Sequence, residues 1–210
     1  MKKIVIIGSG GFAKEVAFLI DEINKERQQW DLLGFIDSNI EEFNGKYKTI
    51  QNDNWLKNTN EEINVAFGIG SPKINKKIYQ AICQNKNIRF PNLIHPNVVG
   101  DWTDIKLGKG NLICATNSLT TNISIGDFNI INLNCTIGHD CQIGNFNIMN
   151  PSVNISGGVK LSNSIEIGTN ATVLQYKNIC SNVIIGASSL VTKNITEAGT
   201  YVGLPVKKIK

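Results

Sequence analysis

Only two histidines occur in the 210 residues, His95 and His139, and their surroundings suggest different roles. His139 stands in Ile137-Gly138-His139-Asp140-Cys141, with a carboxylate directly after it. A neutral imidazole accepts a proton near neutral pH, and a neighbouring carboxylate can fix its tautomer and stabilise the imidazolium. His139 and Asp140 are therefore the candidate catalytic pair, with His139 as general base. His95, in Ile94-His95-Pro96, fits a packing or capping role at a junction. A second chemical feature opens the chain, where Gly8-Ser9-Gly10-Gly11-Phe12-Ala13 follows the apolar run Ile4–Ile7. Gly-x-Gly-x-x-Ala between a strand and a helix bares backbone N–H groups at a helix N-terminus, which suits a phosphate. Asp37 closes a second apolar run, where a ribose or base partner belongs. The loop reads as a mononucleotide or nucleotide-sugar site. A nicotinamide-dependent oxidoreductase would use the same features, but neither a second half of the dinucleotide fold nor a hydride-transfer site follows.

Two kinds of element must position these residues. Across 1–96 the pattern alternates strand and helix. Val16, Leu19, Ile20 and Ile23 recur at helical spacing after the glycine loop. Leu32–Asp37 and Val65–Gly70 read as strands, and Ser71-Pro72 starts a helix lined by Ile74, Ile78 and Ile82. A segment from Phe90 to Ile94 closes this small open α/β sheet. From Leu107 onward the period changes to six. Leu107, Ile113, Leu119, Ile125, Ile131, Ile137, Ile143, Met149, Ile155, Leu161, Ile167, Val173, Ile179, Ile185 and Val191 are all aliphatic. A period of six matches neither a helix at 3.6 nor a lone strand at two. It fits short strands forming the sides of a three-sided solenoid, in coils of eighteen residues that bury their inward layers against one another. Glycines after the inward residue, such as Gly126, Gly138 and Gly144, are expected at corners with positive φ. The boundary between the two domains falls between residues 96 and 97.

Composition narrows the classes. The charge of +4 is spread evenly, with 13 basic and 11 acidic residues in 1–96 and 8 and 6 in the remainder, so no basic stripe for nucleic acid exists. No apolar run is long enough for a membrane span, and the N-terminus lacks a signal-peptide core, so a cytoplasmic location is expected. Five cysteines without a CxxC pair read as small buried hydrophobes. Two histidines are too few for the three zinc ligands of a γ-type carbonic anhydrase, and no metal is expected.

From Val98 onward the chain resembles the left-handed parallel β-helix of the hexapeptide acyltransferases, and Gly203-Leu204-Pro205-Val206-Lys207 is similar to their closing segment. Joined through Ile94-His95-Pro96 to a small Rossmann-like domain, the whole chain resembles the bacterial nucleotide-linked 4-amino-sugar N-acetyltransferases. Sialic-acid O-acetyltransferase-like proteins share the arrangement. The pieces that carry the resemblance are the Gly8–Gly11 loop, Gly70, Lys76-Lys77-Ile78-Tyr79, the Ile94–Pro96 link and Gly138–Cys141. The resemblance implies acetyl-CoA as co-substrate and N-acetylation of a UDP- or dTDP-linked 4-amino-4,6-dideoxy sugar, for cell-surface glycans such as O-antigen. It also implies a homotrimer with coenzyme between neighbouring prisms. The nucleotide-sugar contacts it implies are Gly8, Gly10, Gly11, Phe12, Asp37, Ser38 and Gly70; the coenzyme contacts are Ile148, Gly157, Thr169 and Ala187, with the Gly157 N–H facing the thioester oxygen. Relatives often carry histidine at the positions of Phe12 and Ile148. The alternatives are O-acetylation of sialic acid or another sugar, and a non-catalytic binding solenoid.

Overall fold

The computed structural model describes residues 1–38 and 46–210. The chain divides into two compact units, Met1–Pro96 and Asn97–Lys210.

Among its described residues the first unit contains a sheet of five strands, β1 (Lys2–Ile7), β2 (Trp30–Ile36), β3 (Thr49–Gln51), β4 (Ile63–Phe67) and β5 (Ile88–Arg89), all parallel in the order β3-β2-β1-β4-β5. The helices are α1 (Gly11–Glu26), α2 (Asp53–Asn58) and α3 (Pro72–Ile82). Central β1 is apolar from Ile4 onward, as a strand covered on both faces must be, with Ile4, Val5, Ile6 and Ile7 buried behind the exposed Lys2 and Lys3. Helix α1 follows from Ala13, Val16, Ala17, Leu19 and Ile20, whose spacing gives one buried stripe. Pro72 starts α3, where its missing N–H costs nothing. The closing strand is Ile88–Arg89, slightly earlier than Phe90–Ile94. Strand β3 and helix α2 carry too short an apolar pattern to be read from sequence. The Asn52 side chain caps α2 by accepting from the Asn54 N–H at 3.1 Å.

The second unit is a parallel β-solenoid. One face stacks Val99–Gly100, Ser118–Leu119, Thr136–Ile137, Asn154–Ile155, Thr172–Val173 and Leu190–Val191. A second face stacks Ile105–Leu107, Ile123–Ile125, Gln142–Ile143, Lys160–Leu161 and Asn178–Ile179. The third contains Leu112–Ile113, Ile130–Ile131, Ile148–Met149, Glu166–Ile167 and Val183–Ile185, and it ends with Gly199–Gly203 and antiparallel Val206–Lys208. Through the middle of the stack each residue pairs with the one eighteen later, as Ile137 does with Ile155. The last coil is shorter: Ile195 bridges Ile179, and Val183 pairs with Gly199.

Of the fifteen inward aliphatics all but Leu107, in the first coil, are buried. Each contributes about 1.5–3 kcal/mol by leaving water. Three interior positions hold an asparagine ladder instead of an apolar group: Asn111, Asn129 and Asn147 are each fully buried. The Oδ1 of each accepts the backbone N–H of the next coil, from Asn129, Asn147 and Ile165, at 2.8–2.9 Å. Such buried amides are tolerated because they are satisfied.

The corners depart from expectation. Positive φ recurs at every sixth residue from Gly110 to Ser188, including Asn122 (54°), Asp140 (62°) and Tyr176 (57°). It falls three residues after the inward aliphatic, not one. The glycines directly after that aliphatic have ordinary φ and serve close approach of coils. A Cβ on Gly138 would stand 2.6 Å from the Gly157 nitrogen, and one on Gly144 would stand 2.5 Å from the Ser162 oxygen.

All five cysteines are free thiols, with Cys114, Cys135 and Cys141 buried. Burial pushes the Cys135 thiol up to about 11 and raises that of Cys141. Native protein treated with iodoacetamide at neutral pH should label at Cys83 and Cys180 while Cys135 and Cys141 stay unmodified until the chain is unfolded. Peptide mass mapping reads this directly, since the thiolate is the nucleophile.

Candidate active site

The edge between the first and second solenoid faces carries the candidate catalytic pair, His139 and Asp140. His139 follows the inward Ile137 and the close-packed Gly138, so its side chain leaves the prism, and it is 54% exposed. Its Nδ1 lies 2.7 Å from Oδ2 of Asp140. An ionised carboxylate only accepts, so Nδ1 donates and Nε2 of the neutral ring is left with a free lone pair. Asp140 adopts a left-handed backbone, and this turns its side chain back toward the imidazole of its neighbour. Its other oxygen accepts from Asn122 Nδ2 at 2.5 Å. Hydrogen bonds from His139 first and Asn122 second hold the Asp140 carboxyl below the usual carboxylate range. It is therefore charged at neutral pH.

Beneath the ring lies Gly157, one coil later. A Cβ there would fall 2.5 Å from His139 Nε2 and 2.6 Å from Cε1, so glycine is what lets the imidazole lie against the next coil. The chain is pinned here by the Gly158 N–H donating to the His139 carbonyl at 2.7 Å, and the Tyr176 N–H donating to the Gly157 carbonyl at 2.9 Å. Gly157→Ala should keep the fold, because the obstructing atoms belong to a mobile side chain, but displace the ring. With His139 as the base proposed below, the expected result is a fall in kcat of about 10- to 100-fold with an unchanged melting temperature. On the Asp140 side, a recess of about 250 Å3 is lined by Asp104, Lys106, Asn122, Ser124, Asp140 and Gln142 among others.

The residues expected at the coenzyme are not gathered on this edge. Only Gly157 is. Thr169 and Ala187 lie on successive coils of the edge between the third and first faces, where the Ser188 N–H donates to the Thr169 carbonyl. Ile148 is on the third face, 3% exposed, paired with Ile130 and Glu166. Burial raises the Glu166 carboxyl above its usual range.

In the first unit Gly8, with φ of +95°, turns the chain out of β1. Gly10 precedes α1 without a side-chain cap, and a Cβ on Gly10, Gly11 or Gly70 would meet open space. These three glycines thus leave backbone approachable by a ligand, while Gly68 is glycine for packing, its Cβ position lying 2.7 Å from the Ala13 Cα. Asp37 is engaged within the protein: Oδ2 accepts from the Ser9 N–H at 3.0 Å and the Ser9 hydroxyl at 2.9 Å, and Oδ1 from Ser38 Oγ at 3.3 Å. Phe12 is half-buried in the first turn of α1. His95 is buried, its Nε2 3.9 Å from Glu22 Oε2.

Residues 3–82 match the family model of the PglD N-terminal domain. The chain is similar in fold to several solved acetyltransferases. The acetyltransferase domain of PglB from Neisseria gonorrhoeae is 24% identical over 100% of both chains, with a TM-score of 0.92. PerB from Caulobacter crescentus, solved with CoA and GDP-perosamine, is 24% identical over 100% of this chain and 98% of its own, with a TM-score of 0.90. WeeI from Acinetobacter baumannii is 24% identical over 100% of both, with a TM-score of 0.86. Among the described residues no group of three or more His, Cys, Asp or Glu could hold a metal ion, and no helix is long and apolar enough to cross a membrane.

Asn122 was the residue missed by sequence reasoning. The signal was present: Asn122 stands eighteen residues before Asp140, one coil above it on the same edge.

Proposed function

We propose that the chain is an acetyl-CoA-dependent N-acetyltransferase for the 4-amino group of a UDP- or dTDP-linked 4-amino-4,6-dideoxy sugar. The observation that carries this reading is the His139–Asp140 pair, with its ring lying over Gly157 on a solenoid edge. The amine nitrogen attacks the thioester carbonyl, and His139 Nε2 takes the proton it loses. Collapse of the tetrahedral intermediate expels the coenzyme thiolate, which recovers that proton from the imidazolium. Asp140 stabilises the imidazolium meanwhile. The Gly157 N–H, which has no acceptor among the described residues, would donate to the developing oxyanion. Gly8, Gly10, Gly11, Phe12, Asp37, Ser38 and Gly70 would hold the nucleotide sugar, with Asp37 shaping the loop through Ser9.

The coenzyme contacts Ile148, Thr169 and Ala187 are off the edge that holds His139. A ligand touching both sets is most simply held between two copies of the prism, which supports a homotrimer with acetyl-CoA in the groove between neighbours. Solved proteins of this fold include complexes with acetyl-CoA and with CoA and GDP-perosamine, so GDP-linked sugars belong in the test. The test is thiol release from acetyl-CoA with a panel of UDP-, dTDP- and GDP-linked amino sugars. Release with one or more nucleotide-linked amines is the expected result. No release with any of them, or acetylation of free sialic acid instead, overturns the reading.

A further inference from the structure

We propose that Asn122 is a positioning residue that sets the orientation of the Asp140 carboxylate and, through it, the tautomer of His139. This rests on His139 being the base. Residues 122 and 140 are stacked one coil apart on the same edge, and both have left-handed backbone, with φ of 54° and 62°. Their side chains therefore leave the backbone in the same sense. The amide Nδ2 of Asn122 meets Oδ1 of Asp140, and Oδ2 meets His139 Nδ1 at 2.7 Å. The carboxylate is 52% exposed. A half-exposed carboxylate turns readily about its terminal bond, which has a broad torsional preference. A donor fixed on one oxygen holds the other toward the imidazole. The hydrogen bonds His139–Asp140 and Asp140–Asn122 thus form one line running up the edge.

The same backbone column supplies the control. Left-handed φ disfavours alanine, so Asn122→Ala would mix strain with loss of the amide, whereas Asn122→Gly removes the amide and keeps the turn. The asparagine that bonds Ser152, Asn134, occupies an equivalent left-handed position on another edge. Asn134→Gly reports what a purely structural amide contributes.

Two readouts decide the matter. With only two histidines, imidazole nitrogen NMR above the histidine pKa reports the His139 tautomer once His95 is assigned by substitution. The wild type should show the Nδ1-protonated form, Asn122→Gly a shift toward the Nε2-protonated form, and Asn134→Gly no change. In kinetics, Asn122→Gly should lower kcat about tenfold, a fraction of what the base itself supplies, with KM for both substrates within about twofold. In an Asp140→Asn background the same change should cost nothing further, because the amide acts only through the carboxylate. An unchanged tautomer ratio, or losses that multiply independently in the double variant, overturns the proposal. Should the wild type prove inactive toward every amino sugar, the functional reading fails while the tautomer ratio still decides the role of Asn122.

Discussion

His139→Ala is expected to lower turnover about 10²- to 10⁴-fold, the span general-base catalysis commonly supplies. Melting temperature and acetyl-CoA binding should stay unchanged. The stability half of this expectation follows from the surroundings of the ring. It is half exposed, its one polar side-chain partner among the described residues is the equally exposed Asp140, and the corner is held by the His139 carbonyl, which alanine keeps. Steady-state kinetics beside a thermal melt and a coenzyme titration check all three. A loss of only a few-fold with the fold intact would remove His139 from the mechanism.

Gly138→Ala should be damaging in a different way. The added Cβ would stand 2.6 Å from the Gly157 nitrogen and 3.0 Å from its Cα. Both are backbone atoms, so no side chain can swing aside. The coils must part at the edge that holds His139, at a cost of about 1–3 kcal/mol for overpacking. In a chain of this length that lowers the melting temperature by roughly 3–10 °C. Because Gly157 also forms the seat of the imidazole, kcat should fall about 100-fold although every reactive group remains. Gly138→Ala thus differs from His139→Ala in losing stability and activity together. Differential scanning calorimetry and kinetics on the two variants separate them, and an unchanged melt for Gly138→Ala would refute the close-packing account of this glycine.

The solenoid was legible because its constraint is repetitive. One aliphatic every six residues from Ile113 to Val191 is a demand the interior makes at each coil, so the pattern emerges without alignment. The helices α1 and α3 were legible for a related reason, a buried stripe and a proline at the start. Strand β3 and helix α2 were not, since three and six residues contain too few turns or alternations to stand out. The corner chemistry was misplaced by two residues. Glycine after Ile137 suggested backbone freedom, yet it reflects crowding by the neighbouring coil, a contact with a residue nineteen positions away that no local pattern displays. The candidate base and its carboxylate partner could be named because they are adjacent in sequence. The amide above them could not, until the stacking distance was known. The buried Asn111–Asn129–Asn147 ladder was hidden for the opposite reason: a polar residue at an interior position is acceptable only when its partners, all contributed by other coils, are in place.

The fixed offset of eighteen residues between stacked neighbours governs how the chain tolerates changes in length. Duplicating a whole eighteen-residue block lengthens the column by one storey and returns every later side chain to its own vertical line. A six-residue insertion instead advances all that follows by a third of a revolution. Placed just after Leu161, it would carry Thr169 and Ala187 onto the line that now holds His139 while leaving the aliphatic interior in phase. Such a protein would remain folded while the two sets of residues shared a single edge.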